Sequence, residues 1–314
     1  MIKYLVKRLA RSILTLIIII SIVFILLRLM PIEGYFQNYD KLTEEQIHAG
    51  IVNMGLDKPI PVQLFRFFKQ LLHGDLGVSR IYRANVPIIK ILETKVPISL
   101  TLGGISLILS LILGIPLGML MAGSKGKFWD KFGTGFIVFI QAVPAAVYYL
   151  FIQVYGHDLF GFSMLFKKDD ISAWVLPVIS LSLGNIAYYA MWLRRYMVDE
   201  SNKDYVKLAI AKGVSQKDIL RKHIFRNAFV PMIQYLPSSF LNTIVGSIYV
   251  ESLYSVPGMG GLLVDVIKRQ DNTMVQAIVI LFASVGILGL ILGDILMTII
   301  DPRISFHKKG GVRF

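Results

Sequence analysis

The sequence predicts an all-α polytopic membrane protein with six transmembrane helices, and three observations carry that expectation. Of 314 residues, 55% are hydrophobic and only 17% are charged, which is too apolar for an ordinary soluble domain. Six stretches free of Asp, Glu, Lys and Arg reach or approach the ~20 residues needed to cross a hydrocarbon core. The formal net charge of +13 falls almost wholly on segments that would share one side of a membrane. On one soluble face the same charge would suit a nucleic-acid binder, so its placement decides its meaning. The chain has no Cys, which excludes disulfide frameworks, thiolate nucleophiles and Cys-ligated metal clusters.

The first span covers residues 12–27, effectively continuing past Arg28 to Met30. Lys3, Lys7, Arg8 and Arg11 before it also describe a signal peptide. No small-x-small cleavage site follows Met30-Pro31-Ile32-Glu33, so an uncleaved first helix is expected. Residues 31–95 follow as a long external loop or small subdomain containing the aromatic run Phe65, Phe67 and Phe68. It could cap a pore and meet a partner, or only pack on its own chain. The remaining spans are 96–124, 132–157, 171–193, 227–250 and 272–293, the last running on past Asp294 to Ile300. This divides the chain into 1–30 (N-terminus and first helix), 31–95, a five-helix core 96–300 that includes loop 194–226, and a tail 301–314.

Orientation follows from the basic residues. The N-terminus carries 4, the loop 123–131 carries 3, the loop 194–226 carries 9 and the tail carries 4. The two short loops on the other side have only Lys167, Lys168, Lys268 and Arg269. Both termini are therefore expected in the cytoplasm. Trp129 before the third span, with Trp174 and Trp192 near the two ends of the fourth, fits an interfacial belt.

Ionisable groups inside spans are the usual mark of ion pathways, and here they are nearly lacking. Arg28 can snorkel from the outer end of the first span, and Asp294 lies near the inner end of the sixth, where water or a partner helix is within reach. The five histidines all fall in loops, tails or at a span end, so no embedded metalloprotease or proton relay is indicated. Gly114/Gly118 and Gly289/Gly293 have the GxxxG spacing that lets helices approach closely. Pro116, Pro144 and Pro177 can kink or unwind a turn. No G-x-x-x-x-G-K-[ST] phosphate loop is present. Gly258-Met259-Gly260-Gly261 is not a dinucleotide fingerprint, because Leu263 occupies the third glycine position; a turn is expected there, with a short external helix over residues 264–268.

The loop 194–226 is far longer than a helix connection needs. Tyr205, Leu208, Ala209 and Lys212 have i, i+3, i+4, i+7 spacing, and Gly213 is placed to end that helix in a left-handed cap. Ser215 and Asp218 then read as a capping box opening a second helix, which runs toward Pro231. Two helices meeting at a glycine make a protruding knuckle suited to being gripped by another protein.

Asp204-Tyr205-Val206, Ala209, Ala211-Lys212-Gly213, Ser215, His223, Arg226-Asn227-Ala228 and Pro231 resemble the EAA loop of ABC importer permeases, specifically the oligopeptide/dipeptide/nickel family. Gly55-Leu56-Asp57, Pro59, Gly74-Asp75-Leu76-Gly77-Val78-Ser79, Glu251, Pro257-Gly258, Gly260 and Asp301-Pro302-Arg303 are similar to its B-type member, as is Tyr4-Leu5-Val6-Lys7-Arg8-Leu9. The general signature has Glu-Ala-Ala where this chain has Lys207-Leu208-Ala209, and a shorter gap from the glycine to the proline.

The resemblance implies a type I ABC importer permease fold in the cytoplasmic (inner) membrane, a passive half-pore that is not itself an enzyme. It implies a second homologous permease as a heterodimer partner, two cytoplasmic ATPases, an extracytoplasmic substrate-binding protein and surrounding membrane lipid, with no nucleic acid. This chain would bind no cofactor or metal; ATP and magnesium would sit on the ATPases. Asp204, Tyr205, Lys207, Leu208, Ala209, Ala211, Lys212, Gly213 and Ser215 would form the ATPase-coupling loop. The cargo would be oligopeptides or dipeptides, with nickel or another small solute as the alternative. An ion-coupled secondary transporter is the rival class.

Overall fold

The computed structural model describes residues 2–245 and 247–300, and among these the chain is helical, with one isolated bridge between Val78 and Pro87 and no strand. In order the helices are α1 (Ile2–Arg28), α2 (Glu44–Met54), α3 (Ile60–Leu72), α4 (Ile88–Gly123), α5 (Phe128–Ala142), α6 (Ala145–Phe160), α7 (Ser172–Ser201), α8 (Asp204–Ala211), α9 (Gln216–Asp218), α10 (Arg226–Ile233), α11 (Leu236–Val245), α12 (Ile248–Leu253), α13 (Met259–Lys268) and α14 (Asn272–Ile300). A π-helical segment, Ile219–Phe225, joins α9 to α10. The tail expected at 301–314, with Asp301, Pro302 and Arg303, lies outside the described residues.

Four stretches are long and apolar enough to cross a membrane: Lys7–Arg28, Ile88–Gly123, Ser172–Ser201 and Asn272–Met297. They correspond to the first, second, fourth and sixth expected spans. The third, 132–157, is instead two helices, α5 and α6, that turn by 106°. Pro144 causes the break: it has no N–H to donate back along the helix, and it pushes Val143 into the extended region at ψ 129°. The fifth, 227–250, runs as α10, α11 and the first three residues of α12. The chain leaves the helix at Gln234 and Tyr235 just ahead of Pro237, which suits the first turn of α11 and no helix interior. Ser238, Ser239 and Asn242 further weaken a continuous helix there. Among the described residues there are thus four helices long and apolar enough to cross, or five such spans when the bent pair is taken as one broken span.

The chain forms two compact units. One comprises the residues up to Ala10, Thr101–Thr243 and those from Leu288; the other comprises Arg11–Leu100 and Ile244–Ile287. In the first unit the GxxxG spacings are used. A methyl on Gly114 would lie 3.0 Å from the Ile186 carbonyl, and one on Gly118 would lie 2.8 Å from that of Ala190, so α4 crosses α7 at backbone distance. Gly289 meets Ser238 and Gly293 meets Gln234 in the same way. Asp294, 1% exposed, forms an ion pair with Arg8 and accepts a hydrogen bond from Gln234 Nε2 at 3.0 Å. The contact expected of Asp294 is thus with Arg8 of α1, whose side chain is 34% exposed while the carboxylate is buried.

The second unit is held by two buried carboxylates. Asp271 Oδ2 accepts from the Ser79 hydroxyl (2.7 Å) and from three consecutive backbone N–H groups, those of Arg80, Ile81 and Tyr82 (3.1, 2.9 and 3.0 Å). Glu251 accepts from the Ser99 hydroxyl (2.7 Å) and from the N–H groups of Gly260 and Gly261 (2.7 and 3.0 Å). These satisfy donors at the start of α13, where helix N–H groups lack internal partners. A methyl on Gly258 would fall 2.4 Å from Ser99 Oγ, which explains a glycine there. The Gly258–Gly261 stretch is thus a helix start, and the external helix expected at 264–268 begins earlier, at Met259.

Candidate coupling site

The segment from α8 to α10 lies in the first unit, and its inner face belongs to that unit's core. Val206 (2% exposed) and Ala209 (6%) pack in one cluster with Leu193 and Met197 of α7, Ile219 and Ile224 of the π segment, and Met232 of α10. Leu208 stands elsewhere than its spacing suggested: it is 56% exposed, and Ile210 is 58% exposed. The helix therefore turns Tyr205, Val206 and Ala209 inward and Leu208 outward. Asp204, Lys207, Ala211, Lys212, Gly213 and Ser215 are all exposed.

Gly213 ends α8 in the left-handed region at φ 74°. Val214 N–H donates to the Ala209 carbonyl at 3.1 Å and Gly213 N–H to that of Ile210 at 2.9 Å. This is the paired closure of a Schellman cap. No atom of the chain lies within 4 Å of a methyl built on Gly213, so the glycine is required by its φ and not by crowding within the chain. Ser215 accepts from Asp218 N–H at 3.2 Å and donates to the Asp218 carboxylate at 2.9 Å. That is the forward half of a capping box; the return bond runs side chain to side chain. The helix it opens widens into π-winding after one turn, a form common at functional sites.

Tyr205 ties the knuckle to its base. Its hydroxyl donates to Glu200 Oε1 at 2.7 Å and accepts from Asn227 Nδ2 at 3.0 Å; Asn227 Nδ2 also donates to the His223 carbonyl at 3.0 Å. Burial, with the hydrogen bond and charge of Glu200, pushes the phenol up to about 12 against the opposing Asn227 bond. Asp204 pairs with Lys207 at 2.8 Å, and that contact holds its carboxyl below the ordinary range. Nearby, the buried carboxylate of Asp130 on α5 takes a two-pronged grip from Arg194 of α7, with Nη2 at 2.9 Å, and a third bond from Gly126 N–H at 2.8 Å. Charge counting placed Asp130 and Arg194 in separate loops; the sequence carried no sign of their pairing. Val206 and Asn227 were named in the loop resemblance without these roles, and Glu200, the acceptor of the Tyr205 hydroxyl, was not singled out.

The chain matches known proteins in fold and in sequence. A crystal structure of an amino acid ABC transporter with histidines aligns with a TM-score of 0.51 at 18% identity, covering 69% of this chain and 95% of that one. Residues 114–306 match the binding-protein-dependent transport system inner membrane component, and 1–102 match the N-terminal component of the same systems. The chain belongs to this family, and it is a multi-pass membrane protein. It is 33% identical over 310 residues to the dipeptide transport system permease protein DppB of Lactococcus lactis, covering 97% of this chain and 99% of that protein. It is 29% identical over 311 residues to the oligopeptide transport system permease protein OppB of Escherichia coli K12, covering 98% and 100%. A match of 39% over 212 residues to the oligopeptide transport system permease protein AmiC of Streptococcus pneumoniae serotype 4 covers 67% of this chain but only 42% of AmiC.

Proposed function

We propose that this chain is a pore-forming permease subunit of an ATP-binding-cassette importer that carries oligopeptides or dipeptides across the cytoplasmic membrane, with α8 as the coupling helix gripped by a partner ATPase. The single observation that carries the coupling role is the division of α8: Val206 and Ala209 are sunk in the core while Leu208 and Ile210 face outward among lysines. A short helix fused to a packed core moves with that core. An exposed apolar pair beside positive charge is what a protein cleft would bury.

The remaining assembly follows from this reading. In this reading the chain has six spans, with α5–α6 as a broken third and α10–α12 as an interrupted fifth; an even number puts both termini on one side, and the basic residues there make that side the cytoplasm, with the segment 31–95 outside. A second permease completes the pore, a binding protein delivers cargo to the outer face, and two ATPases bind ATP and magnesium. This chain performs no catalysis; closure of the ATPases shifts the pore between two states through their differential contacts with α8. Relatives with peptide permease names over 97% or more of this chain support peptide cargo.

The test is a pair of substitutions at Gly213 in the full complex. Gly213→Asn, which tolerates positive φ, is expected to retain most uptake. Gly213→Val, which does not, is expected to leave membrane insertion intact while ATPase recovery and peptide uptake fall by more than tenfold. Wild-type uptake and assembly in the valine variant would refute the coupling assignment.

A further inference from the structure

A cavity of about 240 Å³ in the unit formed by Arg11–Leu100 and Ile244–Ile287 is lined by two arginines and no carboxylate. Arg28, Asn53, Gln70, Arg80, Thr273 and Gln276 supply most of its polar wall. Arg28 Nε, Arg80 Nε and Gln276 Nε2 are each buried without a hydrogen-bond partner. Gln276 is 6% exposed as a whole residue. Buried donors are paired in the great majority of cases, and here the two arginines, half-buried as whole residues, turn their buried Nε atoms to the same lining as Gln276. Three unpaired donors on one cavity wall, two of them cationic, therefore describe a receptor for an anion.

The neighbouring carboxylate cannot serve as that anion. Asp271 spends one oxygen on four donors and the other on the Thr273 hydroxyl (2.7 Å) and Met274 N–H (3.1 Å), and it does not line the cavity. Arg28 is also held in place: its guanidinium lies 4.8 Å from the centre of the Phe24 ring and 4.9 Å from that of Tyr35. The Arg28 side chain also donates a hydrogen bond to Tyr35, and the Nε that is left without a partner is available to an oxyanion.

We infer that this cavity binds the phosphate group of an anionic phospholipid. Two observations select a lipid over a peptide. Arg28 is the last residue of an apolar helix, and Leu26, Leu29 and Met30 around it are exposed, so a headgroup on the arginine would place its acyl chains along apolar side chains. The lining also carries no carboxylate, so nothing in it would pair with the ammonium end of a zwitterionic peptide. Basic groups at a helix end and anionic headgroups are a matched pair at membrane interfaces. This inference does not depend on the permease reading.

The experiment follows the melting temperature of the full chain in detergent after delipidation. It is titrated with phosphatidylglycerol, the matching diacylglycerol without phosphate, inorganic phosphate, or trialanine. Saturable stabilisation by phosphatidylglycerol alone is expected, with Arg28→Gln/Arg80→Gln weakening the apparent affinity at least tenfold. Gln276→Glu places a carboxylate in the cavity and guards against loss of fold in the arginine variant. It is expected to melt above the delipidated wild type and to lose the lipid response. An equal response to diacylglycerol, or a full response to inorganic phosphate or trialanine, would overturn the inference, as would an unchanged lipid response in Gln276→Glu.

Discussion

Tyr205 shows how much can rest on one hydroxyl. It bridges the last turn of α7, through Glu200, to α10, through Asn227. Tyr205→Phe keeps the ring and removes both bonds, and is expected to destabilise the chain by about 1–2 kcal/mol. Its melting curve in detergent should shift down while membrane insertion stays normal. Asp271 makes a pH prediction. Burial acts to raise its carboxyl, but the hydrogen bonds from Ser79, Tyr82, Ile81 and Thr273 outweigh burial and hold it below the ordinary carboxylate range. A group whose folded pKa is depressed stabilises the fold above its unfolded value, about 3.9, and loses that contribution as pH falls through the folded value. Wild-type melting temperature should therefore fall as pH drops below about 4. Asp271→Asn, which turns an N–H₂ or one oxygen toward donors, should be less stable at neutral pH and flatter across that acid range.

At the scale of elements, the close crossings are the testable feature. Gly118 faces Ala190 and Leu193 at distances a side chain cannot share. Gly118→Leu is expected to cost about 1–3 kcal/mol by overpacking, whereas a change at Gly104, where a methyl meets nothing within 4 Å, should be near neutral; thermal melting in detergent compares the two. The GxxxG spacing pointed to these approaches without naming the partner helix, since spacing along one helix carries no information about what crosses it. Likewise three prolines were visible as sites where a helix could yield. Pro144 breaks its helix, Pro177 stays inside α7, and Pro237, which was not singled out, coincides with the interruption of the fifth span. A proline removes a hydrogen bond inside a helix but none in its first turn; packing around an interior proline decides whether the chain bends. The left-handed end of α8 was legible because positive φ selects glycine directly. The outward turn of Leu208 was not, because in a four-position pattern Val206 and Leu208 compete for the inner face.

Across the whole molecule, composition and basic-residue placement made the all-helical membrane class readable, and the family membership agrees with it. Partly readable were the spans: four appear as long helices, and two are divided by local backbone chemistry that hydropathy does not register. Contacts remote in sequence, such as Arg8 with Asp294, Arg194 with Asp130 and Ser79 with Asp271, left no trace in the sequence pattern. Each joins segments whose neighbours give no hint of the other.

In the proposed assembly α8 is the element gripped by the ATPase. The chain has no Cys, so a single Leu208→Cys carrying a photo-crosslinker reports its neighbour directly in inside-out vesicles of the co-expressed complex. Crosslinking to a P-loop ATPase from position 208, abolished by adding Gly213→Val, is the expected result. Crosslinking to lipid alone, in a complex that still imports peptide at the wild-type rate, would contradict it.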